Sequence, residues 1–225
     1  KVDVVIELLD ARIPRSSANP MIRELVGQKP HIIVLNKIDL ADSAKTKEWI
    51  SFFKEMGSEV ITIDSKTGKG TKSLIKAVEE KSRPVIDKWI KKGINKRSVR
   101  TIILGIPNVG KSTLINILAG SSATQTADKP GKTRGQQWVR SGKQMELLDT
   151  PGVLWPKLED QRAAARLAIT GAISDDVYDL DTVTNRLLDE LIAKNKAAFL
   201  ERYKLNESDL EDRGTLFENI GRKRG

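Results

Sequence analysis

The sequence predicts an α/β fold: a six-stranded, doubly wound sheet with helices on both faces, followed by a small all-α C-terminal domain. Three observations lead to this prediction. In the first two thirds of the chain, short apolar runs alternate with segments of helical periodicity. After Trp155 the helical periodicity continues, but the strand-like runs stop. No apolar run approaches the roughly 18 residues of a membrane-spanning helix, so no membrane partner is expected.

Each predicted strand is a short run of mostly apolar residues. Such runs are typical of parallel strands, because helices cover both faces of a parallel sheet. The six strands are predicted at Val2–Leu9, His31–Leu35, Glu59–Ile63, Val99–Leu104, Gln136–Val139 and Met145–Leu148. The last two strands are expected to form a hairpin through Ser141 and Gly142.

The helices are predicted from apolar residues that recur every three or four positions. In the first part of the chain they are Asn19–Val26, Lys45–Met56, Lys72–Lys92 with an interruption at Pro84, and Lys111–Leu118. In the remainder they are Leu158–Ile169, Leu180–Ile192, Lys196–Tyr203 and Glu207–Ile220. This change of pattern predicts two domains, residues 1–156 and residues 157–225.

Composition excludes several classes of chemistry within this chain. The 225 residues are 39% hydrophobic and 31% charged, as in an ordinary globular protein and unlike a disordered one. Cysteine is absent, which excludes disulfides, thiolate metal sites and thiol catalysis. A single histidine excludes a multi-histidine metal site.

The formal net charge of +9 is concentrated in one segment. Residues Lys81–Arg100, called here the basic block, hold eight basic side chains against Asp87 alone. Such a block favours a polyanionic partner. The alternative is that it forms a solvated helix face and a linker.

Two segments predict a phosphate site. Gly105–Ser112 fits the pattern G-x-x-x-x-G-K-[ST] between a strand and a helix. Its backbone N–H groups can approach phosphate oxygens, Lys111 adds a positive charge, and Ser112 offers a hydroxyl to Mg²⁺. Asp149–Gly152 follows a strand, where Asp149 can hold Mg²⁺ through water and the Gly152 N–H can meet the γ-phosphate.

Two further segments predict recognition of guanine. Asn36–Asp39 ends a predicted strand, and Asp39 can accept hydrogen bonds from guanine N1–H and the exocyclic amino group, which adenine does not offer. A site built on such hydrogen bonds rejects the wrong ligand by roughly 10⁴–10⁵. Lys37 can lie along the base, Asn36 can tie loops together, and Ser65 with Lys66 can support the same base.

Together the four motifs resemble those of translation-factor-class GTPases in a circularly permuted order. Within such GTPases the chain resembles the RbgA (YlqF) family of bacterial ribosome-biogenesis GTPases. The matching segments are Asp10–Pro14 with Asn19 and Pro20, Gly105–Asn116, Pro130 and Gly131, Gln137 and Trp138, Leu148–Pro156, and Arg166–Ile173. The resemblance implies a circularly permuted P-loop GTPase domain at 1–156 and GTP hydrolysis coupled to late assembly of the large (50S) ribosomal subunit.

The motifs and the resemblance together give the expected site residues. GTP binding is assigned to Asn36, Lys37, Asp39, Ser65, Lys66, Asn108, Val109, Gly110, Lys111, Ser112, Thr113 and Gly152. Catalysis is assigned to Lys111, Thr133 and Gly152; Mg²⁺ binding to Ser112, Thr133 and Asp149; and a candidate K⁺ contact to Asn108. Val153 stands where Ras-type enzymes place the glutamine that orients water, so another group is expected to do this. His31 lies about five residues from the nucleotide edge, roughly 16 Å, and is too far.

The sequence thus predicts a cytoplasmic, monomeric, Mg²⁺-dependent GTPase that binds GTP and GDP. Its expected partners are the large ribosomal subunit and its rRNA. One alternative is an RNA-binding placeholder whose nucleotide sets affinity while hydrolysis is incidental. Another is an organellar homologue that acts on the mitochondrial ribosome.

Overall fold

The sheet has six strands in the order β3-β2-β1-β4-β6-β5. The computed structural model describes residues 2–94, 97–120, 137–142, 145–152 and 160–224. The strands are β1 (Val4–Asp10), β2 (His31–Asn36), β3 (Glu59–Thr62), β4 (Val99–Leu104), β5 (Gln137–Ser141) and β6 (Met145–Asp149). All neighbours pair in parallel except β5, which pairs antiparallel to β6. The predicted doubly wound α/β fold is confirmed.

The helices connect these strands and continue beyond them. They are α1 (Pro14–Ser17), α2 (Ile22–Val26), α3 (Ser43–Glu55), α4 (Thr71–Lys91), α5 (Lys111–Ala119), α6 (Gln161–Ile169), α7 (Leu180–Tyr203) and α8 (Arg213–Arg224). Short 3₁₀ turns lie at Ile38–Leu40, Asp175–Val177 and Glu207–Leu210. Within the described residues, no helix is both long and apolar enough to cross a bilayer.

The strand order fixes which helices share a face of the sheet. The chain moves outward from β1 through β2 to β3 and then returns to β4 on the other side of β1. Because crossovers between parallel strands are right-handed, this reversal puts α3 on one face and α4 and α5 on the opposite face. Phe53 of α3 packs with Leu9 and Ile33 on the first face. The central strand β1 is buried along its whole length.

Helix α4 runs through Pro84 as one helix of 21 residues. The predicted interruption is therefore absent, although a proline inside a helix removes a hydrogen bond and crowds the preceding turn. Leu74, Val78 and Ser82 are buried before the proline. After it, the Trp89 ring lies beneath the Arg97 guanidinium, 4.2 Å from ring centroid to Cζ. Packing on both sides of Pro84 thus compensates for the local defect.

The chain forms two compact units, residues 1–174 and residues 175–225. The first unit is longer than the expected domain of residues 1–156, because it includes α6. Helix α6 contacts α1 near the start of the chain, and Leu167 on α6 is fully buried. A helical sequence pattern marks the start of helices, but it does not say which domain they pack against.

The second unit is helical, as the sequence predicts. Its core comprises Leu188, Phe199, Leu205 and Leu216. The two predicted helices Leu180–Ile192 and Lys196–Tyr203 are the two parts of α7, which is kinked at Asn195, where the backbone leaves the helical region. The Asn195 side chain accepts a hydrogen bond from the Ala198 N–H (3.0 Å), as at the start of a new helix.

Candidate functional site

The carboxyl ends of four strands bring the predicted motifs to one edge of the sheet. Asn36 is the last residue of β2, Asp149 is the last residue of β6, and Gly105 follows β4 directly. Asp64 and Ser65 follow β3, whose neighbour is β2. In open parallel sheets this edge is where ligands bind.

Asn36 joins the two segments predicted to recognise guanine, Asn36–Asp39 and Ser65–Lys66, to the predicted phosphate loop, Gly105–Ser112. Its fully buried side chain donates from Nδ2 to Ser65 Oγ (3.0 Å) and to the Val109 carbonyl (2.8 Å). Its Oδ1 accepts from the Ser65 N–H (3.1 Å). A Cβ at Gly110 would lie 2.4 Å from Asn36 Nδ2, and the φ of Gly110 is +102°. Glycine is therefore needed there for the loop to meet Asn36.

Lys37 makes a second link between the same loops. Its Nζ donates to the Asn108 carbonyl (2.6 Å) and lies 3.2 Å from Asp10 Oδ2. Burial lowers the pKa of Lys37, and the charge of Asp10 opposes this effect. Asp39 follows on the exposed 3₁₀ turn Ile38–Leu40, with its carboxylate open to a ligand.

Asp64 shapes the loop that carries Ser65 and Lys66. Its Oδ2 accepts from the Thr67 hydroxyl (2.7 Å), and its Oδ1 accepts from the Lys66 N–H (2.9 Å). These hydrogen bonds, that from Thr67 first, hold the pKa of Asp64 below its ordinary value. The Lys66 side chain itself is exposed.

Lys111, at the start of α5, folds back onto its own loop. Its ammonium donates to the carbonyls of Gly105 (3.0 Å) and Ile106 (2.9 Å). The side chain is only 6% exposed. Burial lowers the pKa of Lys111 to about 8, against the opposing charge of Asp149. A phosphate group is the ligand that could stabilise this charge.

Ser112 and Asp149 form a pair of hard oxygen ligands. The Ser112 hydroxyl donates to Asp149 Oδ2 (3.2 Å), and Asp149 is fully buried. A hydroxyl and a carboxylate at this spacing fit Mg²⁺, which prefers oxygen ligands and keeps several waters.

The turn after Asp149 lies tightly against the phosphate loop. The Thr150 hydroxyl donates to the Ile103 carbonyl of β4 (2.9 Å). A Cβ at Gly152 would lie 2.5 Å from the Pro107 nitrogen, so no larger residue fits. The Gly152 backbone is thus held beside the loop that would carry the phosphates.

Asn108 connects the phosphate loop to the segment after α6. Its Nδ2 donates to the Gly171 carbonyl (2.7 Å), and its φ of +56° is in the left-handed region. This contact directs one end of the amide toward Gly171. The expected role of Asn108 as a K⁺ contact stays a prediction.

The other assigned residues are divided between described and undescribed parts of the chain. Val109 is buried, and Thr113 is half-buried on α5. Thr133 and Val153 lie outside the described residues, as does Lys96 of the basic block. His31 is at the far end of β2, where its Nε2 lies 3.2 Å from Glu7 Oε2.

Three further residues lie at this edge without a role predicted from the sequence. Asp10 and Arg12 form an ion pair beside Lys37, with Arg12 Nη2 2.6 Å from Asp10 Oδ2. Gly171 supplies the carbonyl that Asn108 contacts. A carboxylate at the end of a predicted central strand is a usable signal for Asp10. Nothing in the sequence signals the Gly171 contact, because it joins positions 63 residues apart through a backbone atom.

Comparisons with known proteins agree with this geometry. Residues 100–203 match the model of the family "50S ribosome-binding GTPase". A curated relative, ribosome biogenesis GTPase A of Bacillus cereus, is 50% identical over 224 residues, covering 100% of this chain and 75% of the relative. Mitochondrial ribosome-associated GTPase 1 of Xenopus tropicalis is 33% identical, covering 100% of this chain and 74% of the relative.

Two solved structures of YlqF are similar to this chain. The structure of GNP-bound YlqF from T. maritima has a TM-score of 0.64 and 28% sequence identity. The alignment covers 100% of this chain and 90% of that chain. A GDP-bound YlqF structure has a TM-score of 0.65 at 28% identity and covers 99% of this chain and 86% of that chain.

Proposed function

The chain belongs to the family of ribosome biogenesis GTPase A, and from that premise we propose that it hydrolyses GTP while it acts on an assembling large ribosomal subunit. It is a GTPase of the ribosome-assembly class. The large subunit is favoured because the matching family is described as 50S ribosome-binding. The bacterial relative is more similar than the mitochondrial one, 50% against 33%, which favours a bacterial ribosome and action in the cytoplasm.

One observation carries the assignment of the nucleotide site. Asn36 and Lys37, from the base-recognition segment, bond directly to the carbonyls of Val109 and Asn108 in the phosphate loop. A base site and a phosphate site that share hydrogen bonds have a fixed separation, which suits a nucleoside phosphate. Asp39 then selects guanine, and Lys37 lies along the base plane.

At the phosphates, the residues of this chain act by position and charge. Lys111 exchanges the carbonyls of Gly105 and Ile106 for phosphate oxygens, and the loop N–H groups surround the phosphates. Ser112 and Asp149 would hold Mg²⁺, with Thr133 added by its place in the sequence. When bound, Mg²⁺ would neutralise developing charge on the phosphates.

The position of the attacking water depends on a group outside this set. Val153 has no hydrogen-bonding side chain, and His31 is at the wrong end of β2. The Gly152 N–H can meet the γ-phosphate but does not activate water. We therefore propose that the ribosomal subunit, or K⁺ beside Asn108, completes the catalytic site.

The rRNA contact is proposed for the basic block. Lys88, Lys91 and Lys92 are exposed at the end of α4. Arg97 and Arg100 follow, each lying over a tryptophan ring. Exposed lysines next to arginine–tryptophan pairs suit contacts with RNA phosphates and bases.

The experiment is a measurement of GTP turnover by the full chain, alone and with purified large subunits, in K⁺ and in Na⁺. We expect slow turnover alone and strong stimulation by large subunits, because a missing catalytic element is worth about 10³–10⁵ in rate. Small subunits and Lys111→Ala serve as controls. A fast intrinsic rate with no response to large subunits would contradict the proposal. Binding of subunits without stimulation would favour the placeholder alternative.

A further inference from the structure

Asp10 is a buried carboxylate that interacts with two cations at the nucleotide edge. It ends the central strand β1 and is 2% exposed. Its Oδ1 accepts from the Arg12 backbone N–H (3.0 Å) and from Arg12 Nε (2.9 Å). Its Oδ2 accepts from Arg12 Nη2 (2.6 Å) and lies 3.2 Å from Lys37 Nζ. Both oxygens are therefore committed to cations in the base-recognition region.

Lys37 depends on these contacts for its position. The residue is in the left-handed region, with a φ of +62°, which non-glycine residues seldom adopt. Within the described part of the chain, its Nζ contacts the Asn108 carbonyl and the Asp10 carboxylate. Of these two groups, only the carboxylate carries a charge that compensates the half-buried ammonium. Without it, Lys37 would face the Arg12 guanidinium, and the two cations would repel each other.

The electrostatics agree with this geometry. Burial raises the pKa of Asp10, but the Arg12 hydrogen bond and the charges of Lys37 and Arg12 outweigh it, so the pKa lies below its ordinary value. The pKa of Arg12 is raised, first by its hydrogen bond to Asp10 and also by the charges of Asp10 and Asp39. The Asp10 charge is thus retained beside Lys37.

We propose that Asp10 is a positioning residue for base recognition: anchored by Arg12, its carboxylate holds Lys37 along the plane of the purine and against the phosphate loop. This inference rests on the proposed guanine-nucleotide site. It separates two tasks. Asp39 chooses between purines, whereas Asp10 and Lys37 strengthen the binding of any 6-oxopurine nucleotide, because contact with the base plane does not depend on the 2-amino group.

The chain offers a matched control at the other end of the same strand. Asp3 precedes β1, is 9% exposed, and pairs with both terminal nitrogens of Arg97 (2.9 and 3.0 Å). Asp3→Asn and Asp10→Asn each remove one buried charge from an aspartate–arginine pair. Asp3 lies at the edge opposite to the nucleotide site, so it reports the structural effect alone.

The test measures the affinities of the full chain for GDP and inosine diphosphate by titration calorimetry, with thermal melting beside them. Asp10→Asn is expected to weaken the binding of both nucleotides by about 10- to 100-fold, as for loss of a hydrogen bond to a charged group. The ratio of the GDP affinity to the inosine diphosphate affinity should stay unchanged. Asp39→Ala is expected to reduce the preference for GDP over inosine diphosphate. Asp3→Asn is expected to lower the melting temperature without changing either affinity.

A double-mutant cycle identifies Lys37 as the intermediary. If Asp10 acts through Lys37, then Asp10→Asn adds little further loss of affinity in a Lys37→Ala background. Arg12→Gln, which keeps the Asp10 charge, is expected to lower the affinity for both nucleotides about threefold, as for loss of an ordinary hydrogen bond. This loss should also vanish in a Lys37→Ala background. Arg12→Gln gives the same information if Asp10→Asn does not fold.

Two results would overturn the inference. One is an Asp10→Asn protein that melts lower, like Asp3→Asn, yet binds GDP as the parent does. The other is an additive cycle in which the losses from Asp10 or Arg12 persist without Lys37. If the parent itself binds no guanine nucleotide, the proposed function fails, and the inference fails with it.

Discussion

The contact of Lys111 with its own loop makes nucleotide affinity sensitive to pH. In the free protein burial lowers the pKa of Lys111 to about 8, and a bound phosphate raises it again. Binding therefore takes up a proton above pH 8. We expect GDP affinity, measured by calorimetry in EDTA so that no metal contributes, to be flat below about pH 8 and to fall by up to tenfold per unit above it.

Lys111→Ala is the control for this prediction. It should weaken GDP binding by well over tenfold and remove the pH dependence, while circular dichroism changes little. An affinity that stays constant up to pH 9.5 in the parent would contradict the assigned role of Lys111.

We expect Asp39 to determine base choice in the proposed site. Its carboxylate is exposed on the turn after Lys37, where guanine N1–H and the amino group could reach it. Asp39→Asn should weaken GTP binding and favour xanthosine triphosphate, because the new amide N–H matches a carbonyl at the purine 2-position. Competition between the two nucleotides measures this. Unchanged preference for GTP in the variant would be evidence against the motif assignment.

At the scale of residues, the sequence predicts the side chains that carry recognisable patterns, and the structure adds the residues that hold them. Asn36, Ser65 and Lys111 belong to motifs with fixed spacing. Asp10 directly follows a predicted strand, which is a usable signal, but Gly171 acts through a contact that depends on the folded arrangement of distant segments. Such contacts leave no local pattern, so a single sequence does not reveal them.

Among the elements, α4 determines where the basic block lies. The helix begins after Gly70, next to the loop of Ser65, and runs back to the amino end of β4. Its 21 residues span about 30 Å, so Lys91 and Lys92 lie at the end of the sheet away from the phosphate loop. The basic block is therefore too far from the nucleotide site for direct contact. Any effect of GTP on RNA binding by this block has to be transmitted through the domain.

The basic block is tested by replacing Lys88, Lys91, Lys92 and Lys96 with Gln. We expect unchanged GTP affinity, weaker binding to large subunits, and a flatter dependence of log affinity on log salt, by roughly 0.7–0.9 for each RNA phosphate that the variant no longer neutralises. Filter binding across a salt series measures this slope. The matched control replaces Lys45, Lys47 and Lys54 of α3 together with Lys29, which lies between α2 and β2; all four are exposed, and the change in charge is the same. An unchanged slope in the first variant would assign the RNA contact to another surface.

The course of α4 through Pro84 and the kink of α7 at Asn195 have different physical causes, one tertiary and one local. Apolar periodicity predicted both segments as helical. Whether a proline interrupts a helix depends on the packing at either side, which a local pattern does not contain. The asparagine break agreed with prediction because its side chain caps the following turn, and capping is a local property.

For the molecule as a whole, the division at residue 174 predicts the behaviour of fragments. Residues 1–174 should bind GDP as the full chain does. Residues 1–156 lack Leu167 and Ile173, which are buried in the first unit. Each such side chain contributes about 1.5–3 kcal/mol, and 1 kcal/mol shifts the melting temperature by about 2–4 °C in a chain of this size. The fragment of residues 1–156 should therefore melt at least about 6 °C lower than that of residues 1–174 in calorimetry. Equal melting temperatures of the two fragments would indicate that the first domain ends at residue 156.

The order of strands in the sheet also bears on how the protein is made. Strands β1, β2 and β3 are translated before β4, yet β4 pairs with the far side of β1. A ribosome adding about 5–20 residues per second needs several seconds to pass from Asp10 to the phosphate loop. During that interval β1 has one unpaired edge, Lys37 has no Asn108 carbonyl to bond, and the nascent chain has half of a nucleotide site. Nucleotide capture is thus a late event of biosynthesis, and it reports that the central strand has gained its second neighbour.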